Sequence, residues 1–162
     1  MNEPRRREDP AALTIGNRPE EIAAALQFVH DFAARHRLPA AALHDLSVAF
    51  DEALSNIVKY GYGDDARHEI SVQLTIAGTQ VVAEVRDDGI PFDPLSVPAP
   101  RLEGGIDERP IGGLGIYLLR QLMDEVRYER RGNRNVLVMK KRISGDAPDN
   151  GEMHGSDSRK TR

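Results

Sequence analysis

The chain has 162 residues, no cysteine and a formal net charge of -4 from 22 basic and 26 acidic side chains. That length suffices for one domain burying its own core, the missing cysteine excludes disulfides and thiolate metal sites, and the charge balance gives no whole-chain attraction to nucleic acid. Four Phe, four Tyr and no Trp make a poor stacking platform for bases, so no direct nucleic-acid binding is expected.

Residues 1 to 10, MNEPRRREDP, are charged and proline-punctuated and read as a disordered arm. No apolar stretch follows the arginines and later apolar runs are short, so neither a secretory signal nor a membrane span is expected; a soluble cytoplasmic protein is the default. Leu13 and Ile15 alternate with polar residues in a short strand. Pro19 with Glu20 and Glu21 opens a helix that carries Ile22, Leu26, Val29 and Phe32 inward and ends near Leu38-Pro39. A second helix runs from Ala40 to about Tyr60 and stops at Gly61 and Gly63. Ile70, Val72, Leu74 and Ile76 alternate strictly, Gly78-Thr79 turns the chain, and Val81, Ala83 and Val85 form the return strand of a hairpin with one buried face.

From Asp87 to Gly113 five prolines and five glycines break any period, which predicts a long irregular loop of the functional or mobile kind. Gly115 to Met123 resumes helical spacing. Asp124 to Arg131 and Arg134 to Arg142 form a second hairpin turning at Gly132-Asn133, and its basic residues, like those at Arg5 to Arg7, read as solvated surface. Residues 144 to 162 are polar and read as a disordered tail, leaving residues 11 to 143 as the folded unit. The order β-α-α-β-β-loop-α-β-β predicts an α+β fold: a two-layer sandwich of a mixed, mostly antiparallel sheet with about three helices on one face.

Three segments carry candidate chemistry. In DEALSNIVKYGYG, Glu52, Asn56 and Lys59 share one face of the second helix, opposite Leu43, Leu46, Phe50, Leu54 and Ile57. That stripe is either a solvated helix face or a surface for a magnesium nucleotide, with Asn56 offering a neutral oxygen to the metal, Lys59 near phosphate and Glu52 able to accept a proton. Val48 also falls on it. In RDDGIPFDP, Asp-Gly and Phe-Asp-Pro are turn signals; the functional reading has Asp87 at a strand end accepting a hydrogen bond from an exocyclic amine such as that of adenine. Gly89 would let the backbone approach the ring, and Asp88 would be the exposed member of the pair. In Gly112-Gly113-Leu114-Gly115, glycines at a helix start free backbone N–H groups to face a phosphate chain, although the P-loop, dinucleotide and eukaryotic-type kinase patterns are all absent.

Together these segments resemble the boxes of the GHKL (Bergerat-fold) ATPase superfamily, which includes gyrase B, MutL and histidine kinase catalytic domains: DEALSN its N box, DDGIPFDP its first glycine box and GGLGIYLLRQLMDEVRY its second. Within it the chain is most similar to the anti-sigma factor serine/threonine-protein kinases of bacterial partner-switching systems, because Glu52-Ala53-Leu54-Ser55-Asn56 carries glutamate where histidine kinases usually have asparagine. The resemblance implies ATP and Mg2+ as cofactors, Glu52 as general base, Asn56 as magnesium ligand, Asp87 as the adenine-selecting carboxylate and Gly89 as the close-approach residue. Gly113, Leu114 and Gly115 would meet phosphates, and residues 93 to 112 would be the ATP lid. Three departures stand out. Pro91 replaces a second glycine, Lys59-Tyr60 looks more like the histidine kinase helix end, and the last box is reduced to Gly132-Asn133-Arg134-Asn135, which is not assigned to nucleotide.

The resemblance further implies a kinase that phosphorylates a serine on a STAS-type anti-sigma factor antagonist, sequesters a sigma factor and forms a homodimer. Two alternatives stand beside it: a non-catalytic nucleotide-dependent binding switch, and a histidine kinase catalytic fragment. For the latter, His30-Asp31 loosely resembles a phosphoacceptor, but no proline or long dimerisation hairpin follows it.

Overall fold

In a computed structural model, residues 9–99 and 113–143 are described. Strand β1 (Ala11–Gly16) leads through a 3-10 turn at Pro19–Glu21 into helix α1 (Ile22–His36), and helix α2 (Ala40–Tyr60) follows. Strands β2 (Glu69–Ala77) and β3 (Gln80–Asp87) form the first hairpin. Helix α3 (Gly113–Leu122) precedes the second, β4 (Glu125–Arg131) and β5 (Arg134–Arg142). The five strands lie in the order β1-β2-β3-β5-β4. All four pairings are antiparallel, so the mostly antiparallel sheet expected from the sequence is antiparallel throughout its described ladders.

Both hairpins turn on a glycine at the first central position, Gly78 with φ 61° and Gly132 with φ 59°. A positive φ there matches the right-handed strand twist and is open to glycine at no steric cost. The alternation of β2 and β3 is realised as two opposite faces. Ile70, Val72 and Leu74 with Val81, Ala83 and Val85 point inward against the helices, and the intervening polar residues point outward.

Helix α2 is the centre of the helical layer, packing on α1 along one side and α3 along the other. Leu46, Phe50 and Leu54 are fully buried as the 3.6-residue period predicts, yet Leu43 and Ile57 are only partly buried. Ala42, Ala49 and Ala53 take the remaining buried positions, where the small side chain lets neighbouring elements approach closely. Gly61 ends the helix differently from the left-handed cap expected of a glycine: its φ is -75° and its N–H donates to the Ile57 carbonyl at 2.7 Å. A side chain at Gly61 would strike that same carbonyl, so close approach rather than a left-handed turn calls for glycine there.

Of the expected irregular segments, residues 1–8 of the arm, 100–112 of the lid and the whole tail, 144–162, lie outside the described residues. Residues 93–99 of the lid carry a 3-10 turn at Pro94–Ser96, capped by the Asp93 carboxylate accepting from the Leu95 N–H at 2.8 Å. Because Phe50 is fully buried at the α2–sheet contact, Phe50→Ala is expected to cost about 3–5 kcal/mol, read as a lowered denaturation midpoint in urea.

Candidate nucleotide site

Inward alternation along β3 buries Val81, Ala83 and Val85, and its next inward position is Asp87. The pattern that builds the core thus delivers a carboxylate, 4% exposed, to the end of the sheet. There it forms the floor of a cavity of about 140 Å³ that opens to solvent. Ala53, Asn56 and Ile57 of α2 line one wall, Ile90 and Phe92 of the loop after β3 another, and Ile116 and Leu137 close the rest. Apolar walls with a few polar groups suit a flat heteroaromatic ring.

A second, polar cleft of about 210 Å³ adjoins it, lined by Glu52, Ser55, Lys59 and Gly115. Asn56, Tyr60 and Ile116 belong to both spaces. One turn of α2 therefore carries the boundary: Asn56 faces the apolar cavity and the polar cleft together, with Glu52 and Lys59 on the polar side. Among the described residues nothing hydrogen-bonds the Asn56 amide, so its oxygen is available to a ligand. Gly115, in the first turn of α3, packs so closely on Glu52 that a methyl group there would overlap the Glu52 carboxylate. Gly113 begins α3, and Leu114 is exposed beside it.

Asp87 is held by two hydrogen bonds. The Gly89 N–H donates to its Oδ1 at 2.8 Å and the Asn135 Nδ2 donates to the same oxygen at 2.9 Å. Burial pushes its carboxyl above the usual carboxylate range, aided by Asp88, against the two hydrogen bonds and the nearby Arg130 guanidinium. Asn135, which the sequence alone does not assign to nucleotide, is thus part of this cavity wall. The failed box spacing hid it; the signal that exposes it is a polar residue at an inward position of β5, in line with Leu137 and Met139.

Gly89 makes a close approach to protein backbone. The Ile90 N–H donates to the Gly61 carbonyl at 2.8 Å, and a Cβ on Gly89 would collide with that carbonyl. The turn after β3 is thereby docked on the end of α2. A second clamp lies beyond it: His68 sits between Asp64, 2.7 Å from Nε2, and Asp88, 3.2 Å from Nδ1, with its ring stacked on Tyr62. Asp88 is exposed, as expected, and these carboxylates raise the His68 pKa above its ordinary 6.5.

Two predictions come from these contacts. Gly89→Ala should destabilise the fold by about 1–3 kcal/mol, since the obstructing atom is backbone; chemical denaturation measures it. The clamp contribution of His68 is complete below pH 6.5 and is lost as pH rises through the elevated folded value. Wild type should therefore lose more melting temperature than His68→Asn between about pH 6 and about pH 9 in thermal scans.

Residues 15–141 match the family of the histidine kinase-like ATPase domain. The chain is 32% identical over 117 residues to the serine/threonine-protein kinase BtrW of Bordetella bronchiseptica, an alignment covering 71% of this chain and 81% of that protein. It is 32% identical over 113 residues to the serine-protein kinase RsbW of Bacillus subtilis, covering 66% and 69%. A crystal structure of the RsbU and RsbW domains of Rv1364c from Mycobacterium tuberculosis superposes with a TM-score of 0.62 at 18% identity. That match spans 84% of this chain and 32% of the other, and at such identity it speaks for the fold alone. With the three boxes gathered about one end of the sheet and a family match over nearly all of the described elements, this chain belongs to the histidine kinase-like ATPase domain family, the GHKL group of nucleotide-using proteins.

Proposed function

We propose that this chain is an ATP-dependent serine/threonine-protein kinase and anti-sigma factor. Its substrate would be a serine on a STAS-type anti-sigma factor antagonist, and a sigma factor its alternative partner. Serine kinases of this domain family at 32% identity support the reaction class. The observation that carries the reading is the position of Asn56, on the border between an apolar cavity floored by Asp87 and a polar cleft holding Glu52.

The apolar cavity takes the adenine, with Asp87 as acceptor for the exocyclic amine. Gly113, Leu114 and Gly115 offer backbone N–H groups and the positive end of α3 to the phosphates, and Lys59 adds a cation at the rim of the cleft. The residues fit a magnesium ion bound through one protein oxygen and phosphate oxygens. Asn56 supplies a neutral, unengaged carbonyl, and among the described residues no set of three His, Asp or Glu side chains forms a separate metal cage. When bound, the ion neutralises charge developing on the transferred phosphoryl group.

Glu52 accepts the proton of the substrate serine hydroxyl as that oxygen attacks the γ-phosphorus and the bond to the bridging oxygen of ADP breaks. Contact with Gly115 keeps the Glu52 carboxylate at the α3 end of the cleft, beside the phosphate-binding turn. Among the described residues no helix is long and apolar enough to cross a membrane, which fits a cytoplasmic protein. A homodimer is the expected assembly.

Incubation with ATP, Mg2+ and a candidate antagonist, followed by phosphoserine detection, tests the reaction. Glu52→Gln should bind ATP about as well as wild type yet transfer phosphate at least about 100-fold more slowly, whereas Asn56→Ala should lose nucleotide binding and transfer together. Comparable rates in wild type and Glu52→Gln would reject the base. Stable ATP binding with no phosphoserine would leave a binding switch instead.

A further inference from the structure

The register of three neighbouring strands sets Asp87, Asn135 and Arg130 in one row, because β5 pairs Asn135 with Asp87 of β3 on one side and with Arg130 of β4 on the other. Tyr128, two residues before Arg130, lies on the same face. Asn135 is 7% exposed, and its amide is fully engaged. Its Nδ2 donates to Asp87 Oδ1 and to the Ile90 carbonyl, both at 2.9 Å. Its Oδ1 accepts from the Tyr128 hydroxyl at 2.7 Å and from the Arg130 guanidinium at 3.0 Å. Arg130 also donates to the Gly89 carbonyl at 2.8 Å.

This arrangement has one consistent orientation. Turning the amide over would set its oxygen against the Asp87 carboxylate and the Ile90 carbonyl, and its NH2 group against a guanidinium and a hydroxyl. Three of the four bonds would become repulsions, since only the Tyr128 hydroxyl can accept as well as donate. With Gly89 and Asn135 both on Oδ1, the other carboxylate oxygen of Asp87 is left for whatever enters the cavity.

We propose that Asn135, with its amide oriented by Tyr128 and Arg130, is the specificity-determining residue behind Asp87: it keeps the carboxylate aimed as an acceptor and so selects a base edge bearing an amino group over one bearing an oxo group. The inference rests on the nucleotide reading of this cavity. Arg130 and Tyr128 are positioning residues, since they act through Asn135 and the Gly89 carbonyl. An acceptor that cannot turn or withdraw rejects an oxo edge by lone-pair repulsion, while a loose one adapts. The groups facing Asp87 are Asp88 beside it, Arg130 from β4, Tyr128 beyond Asn135, and Tyr62 from the segment after α2, whose hydroxyl stays protonated because burial raises its pKa. Removing the one cation among them leaves the carboxylate easier to protonate.

The test is calorimetric titration of the full chain with ATP and with GTP, each with Mg2+, from about pH 5 to about pH 8, with a thermal unfolding control. Wild type should prefer ATP, and its ATP affinity should decline on acidification. Arg130→Met should weaken ATP about tenfold, leave GTP nearly unchanged and move the acid decline to higher pH. Tyr128→Phe should act in the same direction more weakly, and Asn135→Leu should abolish the preference. Should Asn135→Leu fail to fold, Arg130→Met decides, its side chain being exposed. Equal weakening of ATP and GTP, or a selectivity and acid decline unchanged from wild type, overturns the inference while the nucleotide reading stands. A wild-type chain that binds no ATP overturns that reading and this inference with it.

Discussion

Burial of one face of α2 against the sheet governs the placement of the side chains around the cavity and the cleft. Leu46, Phe50 and Leu54 are fully buried there, and each would expose a large apolar surface if the helix rolled about its axis. The roll is therefore set by the core. Once it is set, the 100° step between residues leaves Asn56 over the cavity and Glu52 and Lys59 over the cleft. The placement of these candidate residues is fixed by hydrophobic packing some distance away.

A second constraint comes from the sheet. A fully antiparallel hairpin-rich sheet alternates its side chains strictly, so where the core ends, the next inward positions still point the same way. Asp87 and Asn135 occupy such positions. Polar groups there cost desolvation unless they are paired, and the network through Gly89, Asn135, Tyr128 and Arg130 supplies the pairing. The site is thus a polar continuation of the core, built by the same alternation.

Glycine serves close approach here more than backbone freedom. Gly61, Gly89 and Gly115 each lie where a methyl group would strike a neighbour, two of them backbone carbonyls and the third the Glu52 carboxylate. Gly89 docks the turn after β3 on the end of α2, and Gly115 sets the first turn of α3 against Glu52 in the middle of that helix. Segments that stand far apart in sequence meet closely where a glycine leaves room, backbone on backbone at Gly89 and backbone on the Glu52 side chain at Gly115.

Local pattern alone determined the helices, the two hairpins with their glycine turns, the three boxes and the candidate residues Glu52, Asn56 and Asp87, since each depends on spacing within a few turns of chain. Only the tertiary structure decided the rest. Strand order and register brought Asn135 and Arg130 beside Asp87 from a hairpin over 40 residues away, as the hydrogen bond spanning 48 positions between Asp87 and Asn135 illustrates. The burial of Ala42, Ala49 and Ala53 in place of larger neighbours, and the right-handed end of α2 at Gly61, likewise came from what packs against them. Periodicity reports which face of an element is apolar; it carries no information about which other element will lie against that face, and pairing across a sheet is a long-range choice made by the packed whole.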